Sequence, residues 1–340
     1  MVDEALSIAR PPSATQKATN AAFRVATYLF AWATVLLVLY IVFTISWKAV
    51  PAMREFGLGF LTTTAWDANA NSYGILPEIW GTLYSSLLAL LIATVFGVSI
   101  AIFLSEGFLS AAVFRLLKVV GLEHHRFWGD LPEQLEQLLK NLVELLAAIP
   151  SVVYGLWGIY VIIPMIRPLC NGIHNSVGSV PFFGTALSGP GMLPAALVLA
   201  IMILPTVAAV SRDALSAVPM RLREAAYGMA ATRWETILFV TLPTAATGIF
   251  GAIILAFGRA LGETMALAML VGNANVISVS LFSPGNTLAA LLANNFPEAG
   301  PKQIGVLMYA ALVLLGITFI TNVLATGVLQ RASKGLKEAR

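Results

Sequence analysis

Six uninterrupted apolar stretches divide this chain of 340 residues. As helices, they are each long enough to cross the roughly 30 Å hydrocarbon core of a lipid bilayer. We place these stretches at residues 25–45, 79–104, 145–166, 192–211, 248–271 and 304–329. A membrane β-barrel would instead alternate apolar and polar residues in segments of about ten. The pattern therefore predicts an all-α membrane protein with six transmembrane helices.

The composition excludes the other classes of protein. Apolar residues make up 58% of the chain and charged residues only 11%, whereas an ordinary soluble domain is about a quarter charged. So few charges cannot cover a folded surface in water, which excludes a soluble globular protein. Intrinsic disorder is excluded as well, because it requires low hydrophobicity and high net charge.

Basic residues orient the predicted helices. With the N-terminus in the cytoplasm, fifteen of the 20 Lys and Arg residues fall in cytoplasmic segments and four in outside loops. The remaining one, Arg259, lies inside the fifth stretch. Cytoplasmic loops carry an excess of Lys and Arg, so we expect both termini to be cytoplasmic. Residues 1–22 then form a cytosolic tail rather than a signal peptide, and Cys170 lies in the second outside loop.

Two further segments carry local signals. Residues 105–140 contain an amphipathic helix opened by Asp130 and Pro132, which we expect to lie on the bundle or among lipid headgroups. Its apolar face consists of Leu135, Leu138, Leu139 and Leu142. After the fifth stretch, glycine, proline and asparagine between residues 272 and 286 favour a loop over a re-entrant helix.

The cytoplasmic segment 212–243 has the pattern of a helix, a turn and a second helix. Pro219 suits the first turn of a helix. Thr232 and Glu235 form a T-x-x-E capping box that begins the second helix, and Pro243 predicts a break before the fifth span. The segment is either a plain connector or a short surface helix whose small alanine side chains allow another protein to bind closely.

This segment resembles the EAA loop of bacterial ABC importer permeases. The matching residues are Glu224, Ala225, Ala226, Leu242 and Pro243, and the departures are Ala230, where the family usually has Gly, and Val240, where it usually has Ile. The resemblance implies that the loop is the coupling helix that docks into a groove of a cytoplasmic ATPase. Ala230 leaves open whether the turn requires a positive φ, which glycine accepts more readily.

The wider sequence resembles PstC-type permease subunits of bacterial phosphate ABC importers. The similarity covers most of residues 56–330, notably 149–158, 258–266 and 271–273. It implies a six-helix ABC type-1 permease that imports inorganic phosphate across the inner membrane. The implied partners are a PstA-type second permease, a PstB-type ATPase dimer that binds ATP and Mg²⁺, and a PstS-type periplasmic phosphate-binding protein.

The resemblance also implies a division of the chain. Residues 1–22 form a cytosolic tail, and residues 23–75 form the first transmembrane helix and a periplasmic loop. Residues 76–330 form the ABC type-1 transmembrane domain, with the coupling loop at about 212–243. Residues 331–340 form a second cytosolic tail.

Arg259 and Glu263 are charged residues within the fifth predicted span. We expect Arg259 at the middle of the span, where an Arg costs about 2.5–3.5 kcal/mol on insertion scales, with Glu263 on the same helical face four residues later. The pair is either a structural ion pair or part of a substrate path, in which the guanidinium gives two parallel donors to phosphate. We assign to this path Arg259, Glu263, Gly258, Gly262 and Thr264.

Other kinds of site find no support in the sequence. The chain has no G-x-x-x-x-G-K-[ST] pattern for a nucleotide, and the adjacent His124 and His125 lack a third metal ligand. We therefore predict a transport subunit without an enzymatic, cofactor or metal site of its own. Three alternatives remain, namely a permease for another oxyanion or small solute, a proton-coupled secondary transporter that uses Glu263, and a scaffold or sensor.

Overall fold

The computed structural model describes residues 13–67, 70–120 and 131–338. Among these residues, six helical runs are apolar and long enough to cross a membrane, which confirms the six predicted spans. In chain order the elements are α1 (Ala14–Phe56), α2 (Gly59–Thr62), β1 (Trp66–Asp67), β2 (Ser72–Tyr73), α3 (Leu76–Ser105), α4 (Phe108–Val120), α5 (Leu131–Ala148), α6 (Ser151–Trp157), α7 (Ile163–Val177), α8 (Met192–Ser216), α9 (Met220–Gly228), α10 (Arg233–Thr236), α11 (Leu242–Leu261), α12 (Met265–Leu270), α13 (Leu288–Asn295) and α14 (Pro301–Glu338).

Two of the membrane-length runs consist of two α-helices joined by one π-helical segment. Gly158–Ile162 joins α6 to α7, and Ile237–Thr241 joins α10 to α11. The expected break at Pro243 is wrong, since helix continues from Arg233 to Leu261. Pro243 is the second residue after the π segment, where the regular hydrogen-bond pattern is already interrupted. It lies in the first turn of α11, a position that tolerates its missing N–H.

Several predicted bounds are wrong for local reasons. Residues 145–148 belong to α5, because the chain is extended at Pro150 before the third run begins. The fifth run ends at Leu261 rather than at residue 271. Cys170 lies within α7 and is only 3% exposed, packed in a cluster with Leu187 and Phe282, so the prediction of a loop thiol is wrong.

The core of the bundle forms where α8 packs between α3 and α11. Small residues allow these helices to approach closely. A Cβ on Gly97 would lie 2.8 Å from Val207 Cβ, and a Cβ on Gly248 would lie 2.4 Å from Ala214 Cβ. By contrast, α1 packs mainly against α14 and leaves large apolar side chains such as Trp32 exposed. Such a surface suits a helix surrounded by lipid.

The two ends of the bundle carry different connections. The coupling end, as we name it, contains α4, α5, α9 and α10. The far end contains the antiparallel pair β1–β2, the loop 271–287 and α13. The loop predicted after residue 271 is confirmed as far as Thr287, but α13 follows it, and Leu288–Leu291 at its start are buried.

Residues 105–148 contain more helix than the sequence predicts. The amphipathic helix is confirmed as α5, whereas α4 was not predicted. Leu138 and Leu142 on the apolar face of α5 remain about half exposed. Asp130, His124 and His125 lie outside the described residues, as do residues 1–12. Both predicted tails are partly helical, since α1 begins at Ala14 and α14 extends to Glu338.

Candidate functional site

The helix predicted to couple to an ATPase is α9, at the coupling end. It begins directly after Pro219, and of its nine residues, all of which are described, seven are exposed and two are partly buried. Glu224 and Ala225 are exposed and Ala226 is partly exposed. The exposed surface continues past α9 with Met229, which is 86% exposed. Large exposed apolar side chains such as this one are common in docking sites for other proteins.

The turn after α9 requires a left-handed residue at the position where the EAA family usually has glycine. Ala230 has φ +60°, and its N–H donates to Tyr227 O at 2.9 Å. The left-handed conformation costs an L-residue about 1–2 kcal/mol. The possibility raised by the sequence is therefore confirmed, and this chain holds the turn with a strained alanine.

The predicted capping box that begins α10 is confirmed. Thr232 Oγ1 accepts a hydrogen bond from the backbone N–H of Glu235, and Glu235 Oε2 accepts one from the backbone N–H of Thr232 at 2.7 Å. Leu242 packs in a cluster with Leu215 and Val218 beneath the loop, and Pro243 is exposed on α11. Leu242 thus supports the loop from below, whereas Pro243 is not part of that cluster.

An ion pair that the sequence analysis missed fixes the loop to the end of α3. Arg223 of α9 places Nη1 2.9 Å from Glu106 Oε1, and both side chains are largely buried, with 13% and 7% exposure. Arg223 Nη2 also donates to Leu215 O at 3.0 Å. One signal could have identified Glu106, which is the only acidic residue between positions 79 and 122.

A second arginine strengthens the same junction. Arg233, the first residue of α10, donates from Nη2 to the backbone oxygen of Glu106. Its guanidinium carbon lies 4.1 Å from the ring centroid of Phe108, within the range of a cation–π contact. The Phe108 ring in turn stacks on Trp234 with centroids 5.3 Å apart. Residues on both sides of the turn therefore hold the α3–α4 junction.

Arg259 and Glu263 do not form the predicted pair. The α11 helix ends at Leu261, so the rule that residues four apart share a helical face does not apply to them. No ion pair joins the two side chains, both of which lie in the described part of the chain. Arg259 Nη1 instead donates to Thr206 Oγ1 at 3.4 Å, and Glu263 Oε1 accepts from Ala266 N at 3.4 Å.

The other predicted path residues lie around the same helix end. Arg259 lies two residues before Leu261, the last residue of α11, so its predicted place at the middle of a helix is wrong. Gly262 follows the helix as its cap, and Thr264 Oγ1 donates to Gly262 O at 3.1 Å. Gly258 faces Asn322 of α14, where an added Cβ would meet the side chain at 3.6 Å. This close approach favours helix packing as the role of Gly258.

Comparisons with known proteins agree on one class. Residues 127–334 match the family model described as binding-protein-dependent transport system inner membrane component. The phosphate transport system permease protein PstC of Haemophilus influenzae is 38% identical over 311 residues, covering 89% of this chain and 90% of that protein. PstC of Pasteurella multocida is 37% identical over 323 residues, covering 94% and 93%.

The fold also resembles that of a solved transporter. The structure of a bacterial alginate ABC transporter in complex with an alginate pentasaccharide-bound periplasmic protein aligns with a TM-score of 0.57 and 14% identity. The alignment covers 93% of this chain and 98% of that chain. At this identity the likeness concerns the fold alone.

Proposed function

The chain belongs to the family of binding-protein-dependent transport system inner membrane components, and we propose from this membership that it is the PstC-type permease subunit of an ATP-driven importer of inorganic phosphate. The observation that carries the proposal is the identity of 37–38% with PstC proteins over about nine tenths of the chain. Like these permease relatives, the chain is a transport subunit and not an enzyme.

The proposed partners at the coupling end are two copies of a PstB-type ATPase, which bind ATP and Mg²⁺. The exposed helix α9 supports this proposal, because Glu224 and Ala225 present small and polar groups that a groove can enclose. A PstA-type permease completes the membrane channel. A PstS-type binding protein delivers phosphate at the far end. When the ATPase dimer closes on ATP, it moves α9, and the bundle opens toward the far end.

The proposed substrate contact is Arg259. Its guanidinium has five N–H donors, and one long hydrogen bond to Thr206 is its only hydrogen bond within the described chain. Since Glu263 does not neutralise it, the remaining donors are free to bind two oxygens of a phosphate. Glu263, Gly262 and Thr264 lie at the same helix end and would shape the path beside the anion.

We place the protein in the bacterial inner membrane with both termini in the cytoplasm. The excess of basic residues at the coupling end supports this orientation. It puts Arg212, Arg221, Arg223 and Arg233 on the cytoplasmic side with α9, where the ATPase binds. The far end, with the loop 271–287, then faces the periplasm.

One experiment separates this proposal from its alternatives. Phosphate uptake is measured in cells that carry the chain and its proposed partners, after treatment with an uncoupler or after depletion of ATP. The proposal requires that uptake stops with ATP depletion and persists with the uncoupler. Uptake that stops with the uncoupler alone would indicate a proton-coupled transporter. Competition by sulfate or molybdate as strong as that by phosphate would indicate another oxyanion.

A further inference from the structure

Helix α3 connects the coupling loop with the far end of the molecule. It has 30 residues and is therefore about 45 Å long at 1.5 Å per residue. At its C-terminal end, Glu106 forms the ion pair with Arg223 of α9 and accepts from Arg233 of α10 through its backbone oxygen. The fourth residue of α9 and the first residue of α10 are thus attached to one point at the end of α3.

The N-terminal end of α3 is attached to the loop 271–287 just as closely. Asn286 Nδ2 donates to Glu78 Oε1 at 3.4 Å, and Leu288 N donates to Thr82 Oγ1 at 2.9 Å. A Cβ on Gly81 would lie only 1.9 Å from Asn286 O, so the loop backbone rests directly on the helix. Glu78, Thr82 and Asn286 are all buried. Movement of α3 at this end must therefore displace the loop.

Between its two ends, α3 packs tightly along α8. Ala89, Ala93 and Ala101 of α3 are completely buried, and Gly97 brings its backbone against Val207. Close-packed interiors transmit strain because they deform little. A force applied at Glu106 is therefore carried along the helix as a shift or tilt instead of being absorbed locally.

We propose that Glu106 is a positioning residue for transport, which clamps the coupling loop to α3 so that α3 carries movement of α9 to the loop 271–287. The proposal rests on the proposed function, since it assumes that a partner ATPase moves α9. It extends that function by naming the side chain that connects the loop to the bundle and the surface at which the movement arrives. Neither follows from the EAA motif, which does not include Glu106 or Arg223.

The test follows the far-end loop in the assembled complex as the nucleotide changes. Ile277, which is 45% exposed in the loop, is replaced as Ile277→Cys in a Cys170→Ala background, so that the chain contains one thiol. The rate of thiol labelling is compared between complexes with ADP and with trapped ATP. With native Glu106, we expect the labelling rate to differ between the two nucleotide states. In Glu106→Gln, this difference should be smaller by about fivefold or more, since coupling between two sites typically changes an equilibrium by about fivefold at least.

Two further variants separate positioning from folding. Glu106→Asp keeps the negative charge and should retain most of the labelling change. Glu144→Gln is the matched control, because Glu144 also pairs with an arginine at the coupling end, Arg212 at 3.3 Å, but this arginine belongs to α8 and not to α9 or α10. It should label like the parent. Co-purification of the ATPase is measured in every variant and should persist in Glu106→Gln.

Each other outcome overturns the proposal. An unchanged labelling response in Glu106→Gln would show that the ion pair transmits nothing. A parent complex without a nucleotide-dependent response would show that α3 does not move the loop. Loss of the ATPase from both Glu106→Gln and Glu106→Asp would make Glu106 a folding residue. Because labelling follows the nucleotide and not the cargo, failure of phosphate uptake in the parent would reject the proposed function separately.

Discussion

The Arg259 guanidinium reaches from the end of α11 to Thr206 of α8, with Nη1 3.4 Å from Thr206 Oγ1. This single hydrogen bond is longer than the usual N–H···O range of about 2.7–3.2 Å, so it orients the guanidinium only weakly and leaves its other donors unused. Arg259 is exposed at the end of a membrane-length helix. A permanently charged group with unused donors is costly within a membrane, and such charges usually serve a function.

Replacement of Arg259 should reduce transport more than assembly. Loss of one hydrogen bond to a charged group, about 1.5–3 kcal/mol, corresponds to a fall in phosphate uptake of roughly 10- to 150-fold for Arg259→Gln. Arg259→Lys keeps the charge but loses the planar pair of donors. Its phosphate uptake should therefore lie between that of Arg259→Gln and that of the parent. Thr206→Val removes only the hydrogen bond that orients the guanidinium and should therefore reduce uptake less than Arg259→Gln. Normal uptake by Arg259→Gln would remove Arg259 from the substrate path.

Glu263 and Arg259 should behave as independent residues. Because no ion pair joins them in the described structure, neutralising one does not leave the other without a partner. We expect the effects of Glu263→Gln and Arg259→Gln on thermal stability to add within about 0.5 kcal/mol. The measurement is a double-mutant cycle on the purified complex. A double variant markedly more stable than the sum of the single changes would show that the two charges do interact.

Much of this architecture was predictable from the sequence, whereas the ends of its helices were not. Hydrophobic length predicted all six membrane-length runs, and the T-x-x-E pattern predicted the cap at Thr232. The helix end at Leu261 was missed, because the polar segment Gly262–Thr264 is short and apolar residues resume at Met265, so hydropathy averaged over the length of a span stays high across it. The ion pair of Glu106 and Arg223 joins residues 117 positions apart in sequence, and no local pattern specifies such a contact.

A charge on the exposed face of α9 should release the ATPase. Ala225→Asp places a carboxylate where the proposed groove would enclose a methyl group, and an unpaired buried charge costs about 3–5 kcal/mol. Co-purification of the ATPase and phosphate uptake should both fall, while membrane insertion stays normal. Ala225→Ser, which adds a small uncharged group, should retain both. Full binding of the ATPase by Ala225→Asp would make α9 a simple connector.

The turn at Ala230 should become more stable with glycine. Ala230→Gly removes the cost of φ +60°, and the net gain after the greater backbone entropy of glycine is roughly 1 kcal/mol or less. We expect a small rise in the melting temperature of the purified complex. Ala231→Gly is the matched control, since Ala231 has no positive φ, and it should lower stability or leave it unchanged. Destabilisation by Ala230→Gly would contradict the left-handed turn.

ATP-driven uptake of phosphate by the reconstituted complex tests the central claim most directly. The chain is purified with its proposed PstA-type and PstB-type partners, placed in lipid vesicles, and supplied with a PstS-type binding protein and radiolabelled phosphate on the side of the far end. With ATP on the side of the coupling end, we predict phosphate accumulation that depends on both ATP and the binding protein. No accumulation by an assembled, ATP-hydrolysing complex, or accumulation without ATP, would contradict the claim.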